Sequence, residues 1–339
     1  MLVLKRIALS LLFALVLSVP VSAGDCSAAG WIVYHPDSGT ILAGKEPDTP
    51  LPMASTTKIM TALLTLENCL LDDVVIIEKD CTDIEGSSLY LREGEKYSVE
   101  ELLLGLLLSS GNDASLALSK AAAPTTEMFV AAMNEKAAEL GMAHTHFINP
   151  HGLPAEGHVS TARDLALLMG EAMKNPVFRR LVGTKTAEVH GVTLQNHNKL
   201  LWQCEGVNGG KTGYTRAAGR CLVSSCCRNG MELICVTLND RRDWEDHSAL
   251  YDEAFASWQE ISIDCGMKLG SAAVIGSDDA AVCAGEKCIL CVPKKSELSV
   301  EIHVPKIIFG PVPTGEKAGE ALLRWTGGEK RIPLLWAAK

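Results

Sequence analysis

Positive charge is scarce in this chain. Thirty-one Lys and Arg stand against 41 Asp and Glu, a formal net charge of −10 over 339 residues. That balance argues against non-specific binding to nucleic acid or to an anionic membrane surface. Internal repeats, low-complexity tracts and long runs of one charge are also missing, which leaves a globular chain with room for one large domain and a smaller one. No apolar run is long enough to span a bilayer comfortably; the N-terminal one, Ile7 to Val21, is too short. The 12 cysteines include Cys288-x-x-Cys291, half of a possible zinc site, but no second pair with finger-like spacing follows. No metal or organic cofactor is expected.

The N-terminal segment reads as an address rather than as structure. Lys5 and Arg6 precede the apolar run, which ends in Val21-Ser22-Ala23, a small-x-small cleavage site. Cleavage after Ala23 makes 1–23 a signal peptide and the mature protein exported, to the cell-wall space or the outer face of the cytoplasmic membrane. Asp25 separates the small residues from Cys26, which excludes a lipoprotein. In an exported chain an even number of cysteines invites disulfides; Cys283 and Cys288, flanking a Gly285-Glu286 turn, are the best-placed pair. Most of the others suit small buried hydrophobes.

Three short stretches carry chemistry. Ser55-Thr56-Thr57-Lys58 lies at a helix start, with Ile59, Leu63 and Leu66 at helical spacing. Residues three apart share a helix face, so the Lys58 amine can reach the Ser55 hydroxyl. A serine becomes nucleophilic when a neighbouring base takes its proton, and burial or a second cation lowers a lysine into that role. Ser98-Val99-Glu100-Glu101 is a capping box opening an almost wholly apolar, buried helix through Leu108. That helix ends at Ser110-Gly111-Asn112, which can hold a hydroxyl for proton relay and a carboxamide in one cleft. The plainer reading is a helix end with a glycine and a capping asparagine. Gly210-Lys211-Thr212-Gly213-Tyr214-Thr215 suggests an edge strand able to bind an extended peptide, Lys211 and Thr212 holding its carboxylate. Each stretch alone is weak.

Around them, Trp31 to Tyr34 and Thr40 to Ala43 form a hairpin, and Cys221 to Cys227 and Met231 to Leu238 another, joined by Asn229-Gly230. A helix is expected from about Asp243 to Ile261. His144, His146, His151 and His158 match no common ligand spacing and are assigned to packing and loop hydrogen bonds. After Ile263, short runs at Ala272 to Ile275, Cys288 to Val292, Val300 to Val304 and Ala321 to Trp325 read as a small all-β domain.

In this order the three motifs match the signature of the penicillin-recognising serine enzymes. From Trp31 to Ile261 the chain resembles the D-alanyl-D-alanine carboxypeptidases among the low-molecular-mass penicillin-binding proteins. Asn149-Pro150-His151-Gly152-Leu153, Ser160 to Asp164 and Asn196 to Leu201 share the likeness. The resemblance implies an α/β (α+β) fold, a β-lactamase/DD-peptidase-like domain with helices around an antiparallel sheet (24–262), followed by the all-β domain (263–339). It implies Ser55, Lys58 and Ser110 as catalytic residues and Asn112, Lys211, Thr212, Gly213, Tyr214 and Thr215 as substrate-binding. The substrate would be a peptidoglycan stem peptide ending in D-Ala-D-Ala, with β-lactams as covalent inhibitors. His197 stands where relatives carry arginine or threonine, so no carboxylate-binding role is carried over to it. Relatives end in an amphipathic helix on the membrane; this chain ends at Trp336 to Lys339, and no such anchor is expected. The alternatives are a class A-like β-lactamase, for which Glu171-Ala172-Met173-Lys174-Asn175 is a near match to the deacylation motif, and a non-catalytic wall-binding protein. Lys174 in place of leucine, and a periodic helix around Glu171, make that glutamate structural.

Overall fold

A computed structural model describes residues 26–276 and 278–337. The expected signal peptide, 1–23, lies outside the described residues. The chain divides into two compact units, described separately.

The first unit, 26–261 with Ile289–Cys291, is built on a five-stranded antiparallel sheet. Its strands are β1 (Gly30–His35), β2 (Thr40–Lys45), β3 (Val207–Thr215), β4 (Gly219–Arg228) and β5 (Met231–Leu238). Their spatial order is β2-β1-β5-β4-β3, so β3, which carries Lys211-Thr212-Gly213, is an edge. Asn229 and Gly230 both adopt positive φ, 53° and 87°, as a two-residue primed hairpin turn requires. The inner strands read as nearly continuous apolar runs because both faces are covered. Ile32, Ile234 and Val236 join the large helical core, whereas Trp31, Val33, Leu233 and Cys235 pack with Leu250 and Tyr251 on the opposite face. This is the two-residue period of a strand written into two cores.

The helical core holds α1 (Lys58–Asn68), α2 (Val99–Leu108), α3 (Asn112–Ala122), α4 (Thr126–Glu139) and α5 (Ala162–Ala172). Ser98 and Glu101 form the expected capping box on α2, and the Thr161 hydroxyl accepts from Asp164 N at the start of α5. The last helix, α6, spans Asp243–Ser257 and stops short of Ile261, because Trp258–Ile263 is a strand. Its apolar and β-branched residues suit either state, and pairing decided between them.

The second unit, Ser262–Cys288 with 292–337, contains a five-stranded antiparallel sheet. Its strands are β6 (Lys268–Ala272), β7 (Ala280–Ala284), β8 (Ser299–His303), β9 (Lys317–Trp325) and β10 (Gly328–Trp336), in the order β6-β7-β10-β9-β8. The all-β character is as expected, but of Ala272 to Ile275 only Ala272 belongs to a strand, the last residue of β6, while Ile275 makes an isolated bridge to Phe309; β10 was not anticipated. Cys283 and Cys288 do not face each other: Cys283 Sγ donates to the Leu335 carbonyl at 3.5 Å, while Cys288 begins a strand, Cys288–Pro293, outside this sheet. All 12 cysteines are free thiols. No described helix is long and apolar enough to cross a membrane.

Candidate active site

The Ser55-Thr56-Thr57-Lys58 motif begins with a 3-10 turn, Ala54–Thr57, leading into α1 at Lys58. Ala54 sits at φ 47°, in the left-handed region that a β-carbon disfavours. Its neighbours hold it there. Thr57 Oγ1 donates to the Ala54 carbonyl at 2.8 Å and lies 2.9 Å from His158 Nε2. Since His158 Nδ1 accepts from Ile148 N at 2.9 Å, Nε2 carries the proton and donates to Thr57. Burial lowers His158 to about 4, so the ring is neutral. Gly152, at φ 91°, packs so closely that a β-carbon there would overlap the Ala54 carbonyl. A strained backbone that several contacts over-determine is a mark of functional sites.

Lys58 is fully buried. Its Nζ lies 2.9 Å from Ser55 Oγ, 2.6 Å from Asn112 Oδ1 and 2.6 Å from the His151 carbonyl oxygen. Burial, then the nearby Lys211 charge, hold this amine well below the ordinary lysine range. A neutral amine has two N–H groups and one lone pair. The two carbonyl oxygens take the N–H groups, which leaves the lone pair for the Ser55 hydroxyl proton. An amine placed in this way can act as a general base.

The second motif is placed by the end of α2. Ser110, not Gly111, adopts the left-handed conformation, with φ 62° against −56° for the glycine. The simple glycine-terminated helix is therefore corrected: the strained residue is the one bearing the hydroxyl. Ser110 Oγ accepts from Lys211 Nζ at 3.1 Å, and Lys211 also donates to the Thr212 carbonyl at 2.8 Å. Burial lowers Lys211 to about 7. Asn112 is oriented from behind, its Nδ2 donating to the Glu85 carbonyl at 2.6 Å.

Gly213 explains the glycine of the third motif. A β-carbon there would lie 3.0 Å from Ser55 N and 3.1 Å from Ala54 Cβ and the Met53 carbonyl oxygen. Only a bare backbone lets the edge strand run alongside the nucleophile turn. Ser55, Ser110, Thr212, Gly213 and Tyr214 line one cleft of ≈ 290 Å³, with His197, Ser87, Arg220, Asp243 and Trp244. Lys58, Asn112 and Lys211 stand buried behind this lining. Thr215 is not in it; its hydroxyl accepts from Ala218 N at 3.0 Å and caps the following turn.

Several contributors escaped sequence reasoning. Asp113, fully buried, accepts from Ser88 Oγ at 2.6 Å and from Leu89 N at 2.9 Å, tying segment 88–91 to the second motif. The His151 carbonyl serves Lys58, a main-chain role that no side-chain pattern announces; the Asn149-Pro150 turn signal was the available hint. Arg220 pairs with Asp243 at 2.9 Å and stacks over Trp244 at 5.5 Å. Glu171, the candidate lactamase carboxylate, pairs with Lys174 at 2.7 Å on the solvent side of α5, its side chain 39% exposed. This is the structural role expected of it.

A sequence profile described as D-alanyl-D-alanine carboxypeptidase matches residues 18–242. The D-alanyl-D-alanine carboxypeptidase DacB2 of Mycobacterium tuberculosis is 36% identical over 258 residues, 73% of this chain and 88% of that protein. DacF of Bacillus subtilis, of the same description, is 31% identical over 315 residues, 87% of this chain and 81% of its own length. Among solved structures, penicillin binding protein 5 from Haemophilus influenzae superposes with a TM-score of 0.81 at 25% identity, covering 93% of this chain and 97% of that one. The chain belongs to the D-alanyl-D-alanine carboxypeptidase family, the serine peptidases among the low-molecular-mass penicillin-binding proteins.

Proposed function

We propose that this enzyme removes the terminal D-alanine from peptidoglycan stem peptides through an acyl-enzyme on Ser55. The observation that carries the reading is the buried Lys58 amine, whose two N–H groups are taken by Asn112 Oδ1 and the His151 carbonyl while Ser55 Oγ stands 2.9 Å from its nitrogen. Lys58 takes the Ser55 proton as Oγ attacks the carbonyl between the two D-alanines. The tetrahedral oxyanion lies between the backbone N–H groups of Ser55 and Tyr214, an arrangement supported by the close approach of Gly213 to Ser55 N. The proton then passes from Lys58 through Ser110 to the departing D-alanine nitrogen as the C–N bond breaks. Water, giving its proton to Lys58, attacks the ester carbon; the bond to Ser55 Oγ breaks, Lys58 returns the proton to Oγ, and the shortened peptide leaves as its carboxylate. Lys211 and Thr212 receive the substrate carboxylate, and Asn112 orients Lys58.

The same chemistry opens a β-lactam ring, whose fragment stays attached and blocks the water. The pairing of Glu171 with Lys174 favours slow loss of that ester and hence a peptidase over a lactamase. Export behind a signal peptide ending at Ala23 delivers the enzyme to its polymer outside the cytoplasm; 24–262 acts as the catalytic domain and 263–339 as an accessory one. Intact-mass spectrometry with penicillin tests the reading: one adduct per chain is expected, lost in Ser55→Ala and at neutral pH in Lys58→Ala, with D-alanine released from a stem-peptide mimic. An equal yield on Ser55→Ala would remove the assignment.

A further inference from the structure

Where the described chain begins, three metal-ligating side chains meet outside the cleft. Cys26 Sγ, a carboxylate oxygen of Asp240 and one of Asp246 lie within 4.8 Å of one another. Asp240 follows the central strand β5 and is 1% exposed; Asp246 lies in the first turn of α6 and is 6% exposed. Ser27 sits among them. Its N–H donates to Asp246 Oδ2 at 2.7 Å, and its hydroxyl lies 2.5 Å from Asp240 Oδ1 and 2.9 Å from Asp246 Oδ2. That hydroxyl also accepts from Arg241 N and Arg242 N, both at 3.2 Å. It has a single hydrogen and two carboxylate oxygens to satisfy. One hydrogen shared between two carboxylate oxygens leaves both only partly satisfied. Asp240 Oδ2 adds a second deficit, since it is buried and has no hydrogen-bond partner. The cluster is short of positive charge at a defined point.

The Arg242 guanidinium, 3.5 Å from Asp246 Oδ1, supplies one positive charge to a set that carries three negative ones when ionised. Two more are needed.

We propose that Cys26, Asp240 and Asp246 form a zinc site that fastens the segment leading into β1 to the end of the central strand and to α6. The donor set selects the metal. One sulfur with two carboxylates suits zinc, whereas calcium and magnesium take oxygen ligands only. Zinc takes the thiolate, so binding releases the thiol proton, and its two charges with Arg242 balance the ionised Cys26, Asp240 and Asp246. No step at Ser55 involves this site.

The test uses the purified protein stripped with chelator, then given zinc sulfate or cobalt chloride. The expected result is one zinc per chain after gel filtration, a raised thermal midpoint, and with cobalt a sulfur-to-metal charge-transfer band in the near ultraviolet. Cys26→Ser should abolish that band and weaken zinc binding about tenfold or more. Cys265→Ser, which removes an exposed thiol elsewhere, should change none of the three. Asp240→Asn should melt at or above the midpoint of the metal-free wild type, because the repulsion is relieved, yet lose the zinc-induced rise. If that variant fails to fold, the cobalt spectrum of Cys26→Ser decides. Wild-type protein that retains no zinc, or zinc retained equally by Cys26→Ser, would overturn the proposal.

Discussion

Lys211→Met should make this enzyme more stable while disabling it. The ammonium is buried in the folded chain and solvated in the unfolded one, and burial lowers it from 10.5 to about 7. A lysine lowered in this way opposes folding most strongly at and below its folded value, and the opposition fades as pH rises towards 10.5. At 1.36 kcal/mol per pH unit the full penalty near pH 6 is about 5 kcal/mol. Methionine removes it and fills a similar volume. The substitution also deletes the bonds to Ser110 Oγ (3.1 Å) and the Thr212 carbonyl (2.8 Å), a loss of about 1–1.5 kcal/mol each. The net gain near pH 6 is about 2 kcal/mol, or about 4–8 °C in midpoint for a domain of this size. Loss of the Lys211 field also eases protonation of Lys58, which acts in the same direction. Near pH 10 the wild-type penalty has fallen to about 1 kcal/mol, less than the lost bonds contribute, so the variant should then melt below the wild type. Thermal melts from about pH 6 to pH 10 read the crossing directly. A variant that melts lower throughout, or a gain independent of pH, would refute an unpaired buried ammonium at 211.

Asn112→Asp places a carboxylate 2.6 Å from Lys58 Nζ, favours the ammonium, and should move the acidic limb of penicillin acylation up by about 1–3 pH units; an unmoved limb would mean that Lys58 is not the titrating base. Gly213→Ala drives a β-carbon towards Ser55 N, so acylation followed by mass spectrometry should slow about 10²–10³-fold while the midpoint falls only modestly. Glu171→Gln should change penicillin hydrolysis and D-alanine release by no more than about a few-fold, as befits a solvated charge paired with Lys174; a collapse of penicillin turnover would mark a lactamase.

What the sequence determined by itself was local and periodic. The helical spacing after Ser55 brought Lys58 onto the same face, the Ser98–Glu101 capping box started α2, and Asn229-Gly230 turned the hairpin between two apolar runs. Each signal acts over a few residues, so it survives reading in one dimension. The tertiary structure decided everything that depends on residues far apart in the chain. Ser110 rather than Gly111 takes the left-handed conformation, because its hydroxyl must meet Lys211, a hundred and one positions away. The His151 carbonyl became a partner of Lys58 through packing against a turn 93 positions earlier, and a main-chain oxygen leaves no mark in composition. Asp113 looked like one more residue in a helix start until the fold wrapped segment 88–91 around its carboxylate. The end of α6 at Ser257 was set by strand pairing, and the separation of Cys283 from Cys288 by sheet topology. Cys26, Asp240 and Asp246 form a cluster only because an antiparallel neighbour carries the chain's beginning to the end of β5, a juxtaposition that sheet order creates and spacing cannot express.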